Sequence, residues 1–254
     1  MKTLLYAMLS LLLLGFGTAQ AGYPAPFEAH YKIHKLGLDI ARVDISLKKQ
    51  ADGSLLYRSE TNPLGLLSLF RNDRIVETTE LQNIRGQLRP LRFRHIHSGS
   101  KKNRDIDIVF DWDRHTASNR ISGKEWTLEI PDDALDKFSL QVFMMKDLQE
   151  GRKTLDYKIA DDGELDTYHF ERLDHEKITV PAGSYDVLKL KRDHGSNKRK
   201  TVMWTAPTLH YLPVQVQHIE ADGSNFYMKL EKVEINATPA VMPANTSQKE
   251  SPAS

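Results

Sequence analysis

His95 and His97 stand two residues apart in a stretch that alternates like a β-strand, so both side chains leave the same face and could ligand a metal together. A third ligand would be needed, and none is spaced to supply it locally. The pair therefore reads as two polar side chains beside Arg92 and Arg94. Asp105, Asp107 and Asp111 form an acidic row that could attract a hard cation. A strand spreads carboxylates where a loop would wrap them round an ion, so this row reads as a solvated face. Ser98 follows His97 with no orienting acid in view, and the patterns G-x-S-x-G, S-x-x-K and H-E-x-x-H are missing, as are phosphate loops and dinucleotide fingerprints. A triad can assemble from distant residues, but none is indicated. No metal or other cofactor is expected.

Binding chemistry has better candidates. Between Asn62 and Phe70, the residues Leu64, Leu66, Leu67, Leu69 and Phe70 fit neither a helical nor a strand period, while Asn62-Pro63 and Gly65 mark a loop. Such a loop either folds back to close one end of a barrel or offers apolar surface to a ligand, lipid or partner. Two basic runs follow: Arg92, Arg94, Lys101, Lys102 and Arg104, then Lys191, Arg192, Lys198, Arg199 and Lys200. Each alone is explained by surface turns. Brought together by neighbouring strands, they would form a patch for anionic lipid headgroups, acidic glycans or an acidic partner, with the second run as an electrostatic rim. Met144 and Met145 could line a cavity, but on a helical stripe they read as core.

The elements that must position these residues are mostly strands. One segment is different: Leu135, Phe138, Val142, Met145 and Leu148 recur at steps of three and four, predicting a helix over 132–150. Asp132 and Asp133 supply an N-cap, Pro131 precedes them, and Gly151 lets the chain leave through a left-handed residue. Seven strands are predicted before the helix, the cleanest with Ile106, Ile108, Phe110 and Trp112 on one face and Asp105, Asp107, Val109 and Asp111 on the other. The first alternates Phe27, Ala29, Tyr31 and Ile33 with Glu28, His30, Lys32 and His34, which puts both histidines on the wet side. Ala51-Asp52-Gly53-Ser54 and Ala221-Asp222-Gly223-Ser224 are the same turn used twice between unlike strands, so turn chemistry explains them without a repeat. The expected fold is mainly β: a single strongly curved antiparallel sheet, a β-spiral or open barrel, wrapped around one central helix.

Residues 1–21, MKTLLYAMLSLLLLGFGTAQA, combine Lys2, an apolar run and an Ala19-x-Ala21 cleavage pattern, and so predict a secretory signal peptide. The apolar run is short for a spanning helix, which needs about 20 residues, and no comparable run follows, so no transmembrane segment is expected in the mature chain. Setting Lys2 aside leaves 34 basic residues against 34 acidic ones, a balance that removes the electrostatic basis for nucleic-acid binding. The absence of cysteine excludes disulfides, thiolate metal sites and an N-terminal lipidated cysteine. These features fit the periplasm of a Gram-negative bacterium. Residues 22–236 read as one β-rich domain, and residues 237–254, rich in Pro, Ser and Ala, as a disordered tail.

Several short stretches also carry a resemblance. They run in order as the Phe27–Tyr31 strand, ALDKFSLQ at 134–141, VPAGSY at 180–185, MWTAP at 203–207, YLPV at 211–214 and a closing DGS with LEKV after it. The succession resembles exported bacterial proteins of the domain of unknown function 3108 family, over nearly the whole mature chain. Lys137, Phe138 and Ser139 depart conservatively from the family pattern at the start of the helix. The resemblance brings no activity with it; related exported β-barrel-like proteins imply lipid, lipoprotein or envelope-protein partners. Pro181, Gly183, Trp204, Pro207 and Pro213 read as scaffold. Taken together, the sequence predicts a non-enzymatic periplasmic protein that binds an apolar or amphipathic ligand or an envelope partner. A hydrolase acting on cell-envelope polymer and an envelope assembly factor are the alternatives.

Overall fold

The computed structural model describes residues 23–65, 73–99, 103–194 and 199–236. The leader expected at 1–21 and the tail expected at 237–254 lie outside them. Eight strands precede the helix: β1 (Phe27–Lys35), β2 (Leu38–Lys49), β3 (Leu55–Pro63), β4 (Arg74–Ile84), β5 (Gln87–Ser98), β6 (Arg104–Asp111), β7 (Thr116–Ile121) and β8 (Lys124–Glu129). A two-residue strand β9 (Leu135–Asp136) leads into α1 (Leu140–Gln149). Then come β10 (Leu155–Asp161), β11 (Glu164–Val180), β12 (Gly183–Asp193), β13 (Lys200–Ala206), β14 (Leu212–Ile219) and β15 (Asn225–Ile235).

All fifteen strands form one open sheet in the order β8-β7-β6-β5-β4-β3-β2-β1-β15-β14-β13-β12-β11-β10-β9. Neighbours are antiparallel except β9 and β10, where Leu135 lies beside Ile159 in parallel. The chain thus folds as two meanders joined by its first and last strands, with Phe27 opposite Ile235 and His34 opposite Tyr227. The expected alternation holds in β1, where Phe27, Ala29 and Tyr31 are buried, and in β6, where Ile106, Ile108 and Phe110 are. Both Ala-Asp-Gly-Ser turns are built alike: the aspartate accepts the serine backbone N–H at 2.9 Å, and the glycine has φ of 85° in one and 82° in the other.

Three expectations need correction. A strand was missed at β7, because its inward positions, Ala117 and Asn119, are not large and apolar although both are buried. The stretches ending at Phe170 and beginning at Ile178 are one 17-residue strand, β11. Its polar middle carries a register shift between Arg172 and His175, and its two halves pair with different partners, β10 and then β12. The helix is also shorter than 132–150. Its start is delayed because Asp136, fully buried, turns its carboxylate Oδ1 onto the backbone N–H groups of Phe138 (2.9 Å) and Ser139 (2.8 Å), while Oδ2 accepts the Ser139 hydroxyl at 2.7 Å. The chain up to Asp136 is free to pair as β9, and Asp132 and Asp133 cap nothing. The far end is as expected: Gly151 at φ 73° sends its N–H to Leu148 O and Arg152 sends its own to Asp147 O, closing the last turn.

The helix packs on both meanders. Val142 and Met145 join Phe27, Tyr31, Leu47 and Tyr57 on one side and Leu212 and Val214 on the other. Leu140, Met144 and Leu148 join Leu155, Ile159, Phe170 and Met203. A third cluster unites strands near opposite ends of the sheet, with Phe93, Ile106, Ile108 and Phe110 against Ala134 and Ala160. There Trp126 of β8 lies against Gly163 in the β10–β11 turn, so close that a Cβ on Gly163 would sit 1.5 Å from the indole nitrogen. Arg104 and Asp162 form an ion pair beside it. Among the described residues no helix is long and apolar enough to cross a membrane.

Candidate functional site

The side chains that offered catalytic or metal chemistry are absorbed by the sheet. His30 faces Asp44, His34 faces Asp39, His95 faces Glu77 and His169 faces Asp156, each pair directly opposite in its strand ladder. Their Nδ1 atoms lie 2.7, 2.6, 2.9 and 2.5 Å from the carboxylates. These are cross-strand imidazole–carboxylate contacts. His97 sits 3.7 Å from Asp73 on a different acid from His95, and no group of three or more potential metal ligands occurs among the described residues. The acidic row is not uniformly solvated. Asp107 is buried, and its carboxylate takes Arg92 at 2.8 and 2.7 Å and Arg120 at 2.9 Å. The Arg92 hydrogen bonds hold its pKa below the usual carboxylate range.

A cavity of about 510 Å³ with a mainly apolar lining lies between the sheet and the N-terminal half of α1, and a more polar one of about 580 Å³ lies around Tyr23, Arg89, Phe143 and Asp147. Residues two apart on successive strands supply one wall of the first: Tyr31 and Ile33, Val43 and Ile45, Tyr57, Ser59 and Thr61. β13, β14 and β15 add Met203, Val216 and Met228, and the helix side contributes Phe138, Leu140, Gln141 and Met144. Phe138 stacks on Tyr57 at 4.1 Å between ring centroids, which fixes the floor. Met144 is thus core and cavity wall at once, whereas Met145 belongs to the core and does not line this cavity.

One corner of the cavity is polar. Arg192, half-buried near the end of β12, lays its guanidinium over the Tyr168 ring at 3.1 Å. Beside it, Thr201 Oγ1 lies 2.9 Å from His194 Nε2 and 3.0 Å from His218 Nδ1. Burial lowers the pKa of both histidines, that of His194 to about 4, so both rings are neutral at pH 7. Burial raises the Tyr168 phenol and lowers the Arg192 guanidinium. Of the other acidic and basic residues lining the cavity, Glu77 lies 2.9 Å from His95 Nδ1 and Lys137 pairs with Asp161 at 3.2 Å. Arg192 has no carboxylate within ion-pair distance among the described residues, because Asp161 and Asp166 act on it only through space.

A family model for proteins of unknown function, DUF3108, matches residues 26–231. The chain belongs to the DUF3108 family. No curated protein matches this DUF3108 member. Among solved structures it is similar to a β-barrel-like protein of domain of unknown function DUF1849 from Brucella abortus, with TM-score 0.54 and 12% identity over 85% of this chain and 99% of that one. That likeness speaks for the fold. A protein described as exported, with a YmcC-like fold, from Bacteroides fragilis matches at TM-score 0.39 and 11% identity, covering 84% and 98% of the two chains. A protein described as a lipoprotein from Parabacteroides distasonis matches at TM-score 0.34 and 12% identity, covering 84% and 97%. Both are too loose to bear on the fold.

In this DUF3108 chain the VPAGSY, MWTAP and YLPV stretches pack the sheet, and Met203, Leu212 and Pro213 within them also line the cavity. Ala182 N donates to Leu230 O at 3.0 Å, Trp204 is buried with Nε1 on Glu176, and Pro213 O accepts the Tyr31 hydroxyl at 2.9 Å. Of the apolar loop, Leu64 is half-buried, is tied by its N–H to Ile40 O at 2.9 Å, and does not line the cavity. Leu66, Leu67, Leu69 and Phe70 lie outside the described residues. The basic rim is largely neutralised: Lys191 meets Asp193 at 2.8 Å, Arg199 meets Glu220 at 2.9 Å and Lys200 approaches Asp193 at 4.0 Å. Lys198 lies outside the described residues. Arg192 alone of the described rim residues reaches the cavity. Tyr168, Thr201 and His218 were not expected there. The sequence signal for two of them was the ladder, which places Thr201 opposite His218, and that requires the strand order first.

Proposed function

We propose that this protein is a non-enzymatic carrier or receptor of the bacterial envelope, exported to the periplasm by its leader, whose sheet curves around α1 and holds an apolar or amphipathic ligand between them. The carrying observation is the cavity of about 510 Å³ with mainly aromatic, aliphatic and Met side chains on its walls and a polar corner at Arg192, His194, Thr201 and His218. This size and lining suit a small-molecule site. The neighbouring barrel-like fold supports the architecture, and the leader supports the location.

Topology supports a route in. In an antiparallel meander alternate connections share an end, so the β1–β2, β3–β4, β12–β13 and β14–β15 connections lie at one end of the sheet. Arg192 and His194 approach the cavity from that end. Leu36 and Leu38 in the β1–β2 hairpin are 92% and 68% exposed there. Leu64 leaves β3 at the same end; we assign the apolar approach to Leu64 and to Leu66, Leu67, Leu69 and Phe70, which follow it in the sequence, and the basic rim to Lys191, Lys198, Arg199 and Lys200. Lipid, lipoprotein or another envelope component is the partner this reading favours.

The test is native mass spectrometry of the protein purified from periplasm, beside an Ile33→Trp variant that fills the cavity from a half-buried wall position. The wild type is expected to retain an apolar adduct and the variant to lose it with an unchanged melting temperature. A wild type that neither retains nor takes up any apolar molecule would end this reading.

A further inference from the structure

Resting on that reading, we infer that the ligand carries one anionic headgroup, a carboxylate or phosphate on an apolar chain, and that Arg192 receives it at the polar corner of the cavity. An arginine removed from water is ordinarily matched by an acid, since an unpaired buried charge is costly. The other acidic and basic side chains lining this cavity each have a polar partner, Glu77 on His95 and Lys137 on Asp161, whereas Arg192 has no carboxylate within ion-pair distance among the described residues. Among the described residues its close partner is Tyr168, whose ring centroid lies 3.1 Å from the guanidinium carbon and whose hydroxyl takes a hydrogen bond from it; with five N–H donors the guanidinium keeps others for a two-oxygen acceptor. His194, Thr201 and His218 next to it form a neutral hydrogen-bonding chain. That chain adds no competing positive charge and has N–H capacity to turn toward an oxyanion. Gln141, across the cavity, offers a buried side-chain amide nitrogen with no hydrogen-bond partner in the protein. The chain of the ligand would lie along Ile33, Phe138 and Met144, away from the charge.

The probes are dodecanoate, dodecyl phosphate, the neutral dodecanol and inorganic phosphate, titrated calorimetrically into wild type and Arg192→Gln. Wild type is expected to bind both anionic amphiphiles about tenfold more tightly than dodecanol, the difference a charge-assisted pair supplies. Arg192→Gln should bring them down to the dodecanol level and leave dodecanol unchanged. Preference between dodecanoate and dodecyl phosphate then identifies the headgroup. Arg192→Lys, which keeps the charge and loses the fork, should fall between the two and serves if the glutamine variant fails to fold. Equal affinity for dodecanol and the anions in wild type, or no effect of Arg192→Gln, would overturn the headgroup assignment while leaving the carrier reading intact. Inorganic phosphate binding as tightly as dodecyl phosphate would overturn it as well, since the chain would then contribute nothing. Binding of none of the chain-bearing probes would remove the carrier reading itself.

Discussion

His194 and His218 share one hydroxyl, that of Thr201, in a setting that resists protonation. An unfolded histidine takes up its proton near pH 6.5 and His194 in the folded protein only near pH 4. As pH falls through that window the unfolded state binds more protons than the folded one, so stability is full above pH 6.5 and declines toward pH 4. His218, shifted the same way, adds to the slope. Because the His194 ring is only half-buried, solvent screening reduces its share to on the order of 1 kcal/mol. Urea unfolding at a series of pH values should show this decline, and a His194→Gln, His218→Gln double variant should be flatter between pH 6.5 and 4. An unchanged slope in the variant would show that other groups set it. Neither histidine stands out in the sequence, because what makes them unusual is one hydroxyl, seven residues from His194 and seventeen from His218, and a burial that no local pattern encodes. The His–carboxylate pairs on β1–β2 and β4–β5 were hidden in the same way.

At the level of elements, hydrophobic periodicity located most strands and the helix, and side-chain hydrogen bonding decided where the helix starts. Leu135 and Phe138 fall on the apolar stripe yet lie outside α1, since burial is demanded of them whether the backbone is helical or extended. Asp136 makes the difference, and in sequence an acidic residue inside an apparent helix is unremarkable. Besides its bonds to the Phe138 and Ser139 amides, its Oδ1 accepts the Thr79 hydroxyl at 2.9 Å, tying the start of the helix to β4. Burial pushes the Asp136 pKa up against the pull of these donors. Asp136→Ala would strand two backbone donors and two hydroxyls at once and should cost about 2–4 kcal/mol in denaturant unfolding. Asp136→Asn keeps an acceptor oxygen for the amides and should cost clearly less. Equal losses in the two variants would mean that the hydrogen bonds do not set the helix start. The missed β7 shows the converse limit: where the core accepts an alanine and an asparagine, alternation leaves no trace.

Across the molecule, the strand order was the least legible property, because it depends on which edges meet and not on what any strand contains. The contact of Trp126 with Gly163 is the clearest case, since it brings the edge strand at one end of the sheet order, β8, onto the β10–β11 hairpin near the other. Gly163 is required twice over there, by its φ of 83° and by the indole on its Cα. Gly163→Ala should lower stability by about 2 kcal/mol or more and expose Trp126, seen as a red shift in tryptophan emission. A comparable change at Gly53, which has φ of 85° and no neighbour within 4 Å, carries only the backbone part of that loss and isolates the packing contribution.

The pairing of β1 with β15 gives the sheet a seam between residues some two hundred positions apart. A nascent chain therefore carries a finished run of hairpins on either side of a joint that cannot form until its final segment has emerged. Contact order this high predicts slow completion, with unsatisfied backbone edges shown to other chains in the meantime. Losing β15 to a nick or an early stop would leave two half-sheets with no shared backbone bond between them, and the fold would fail at its middle.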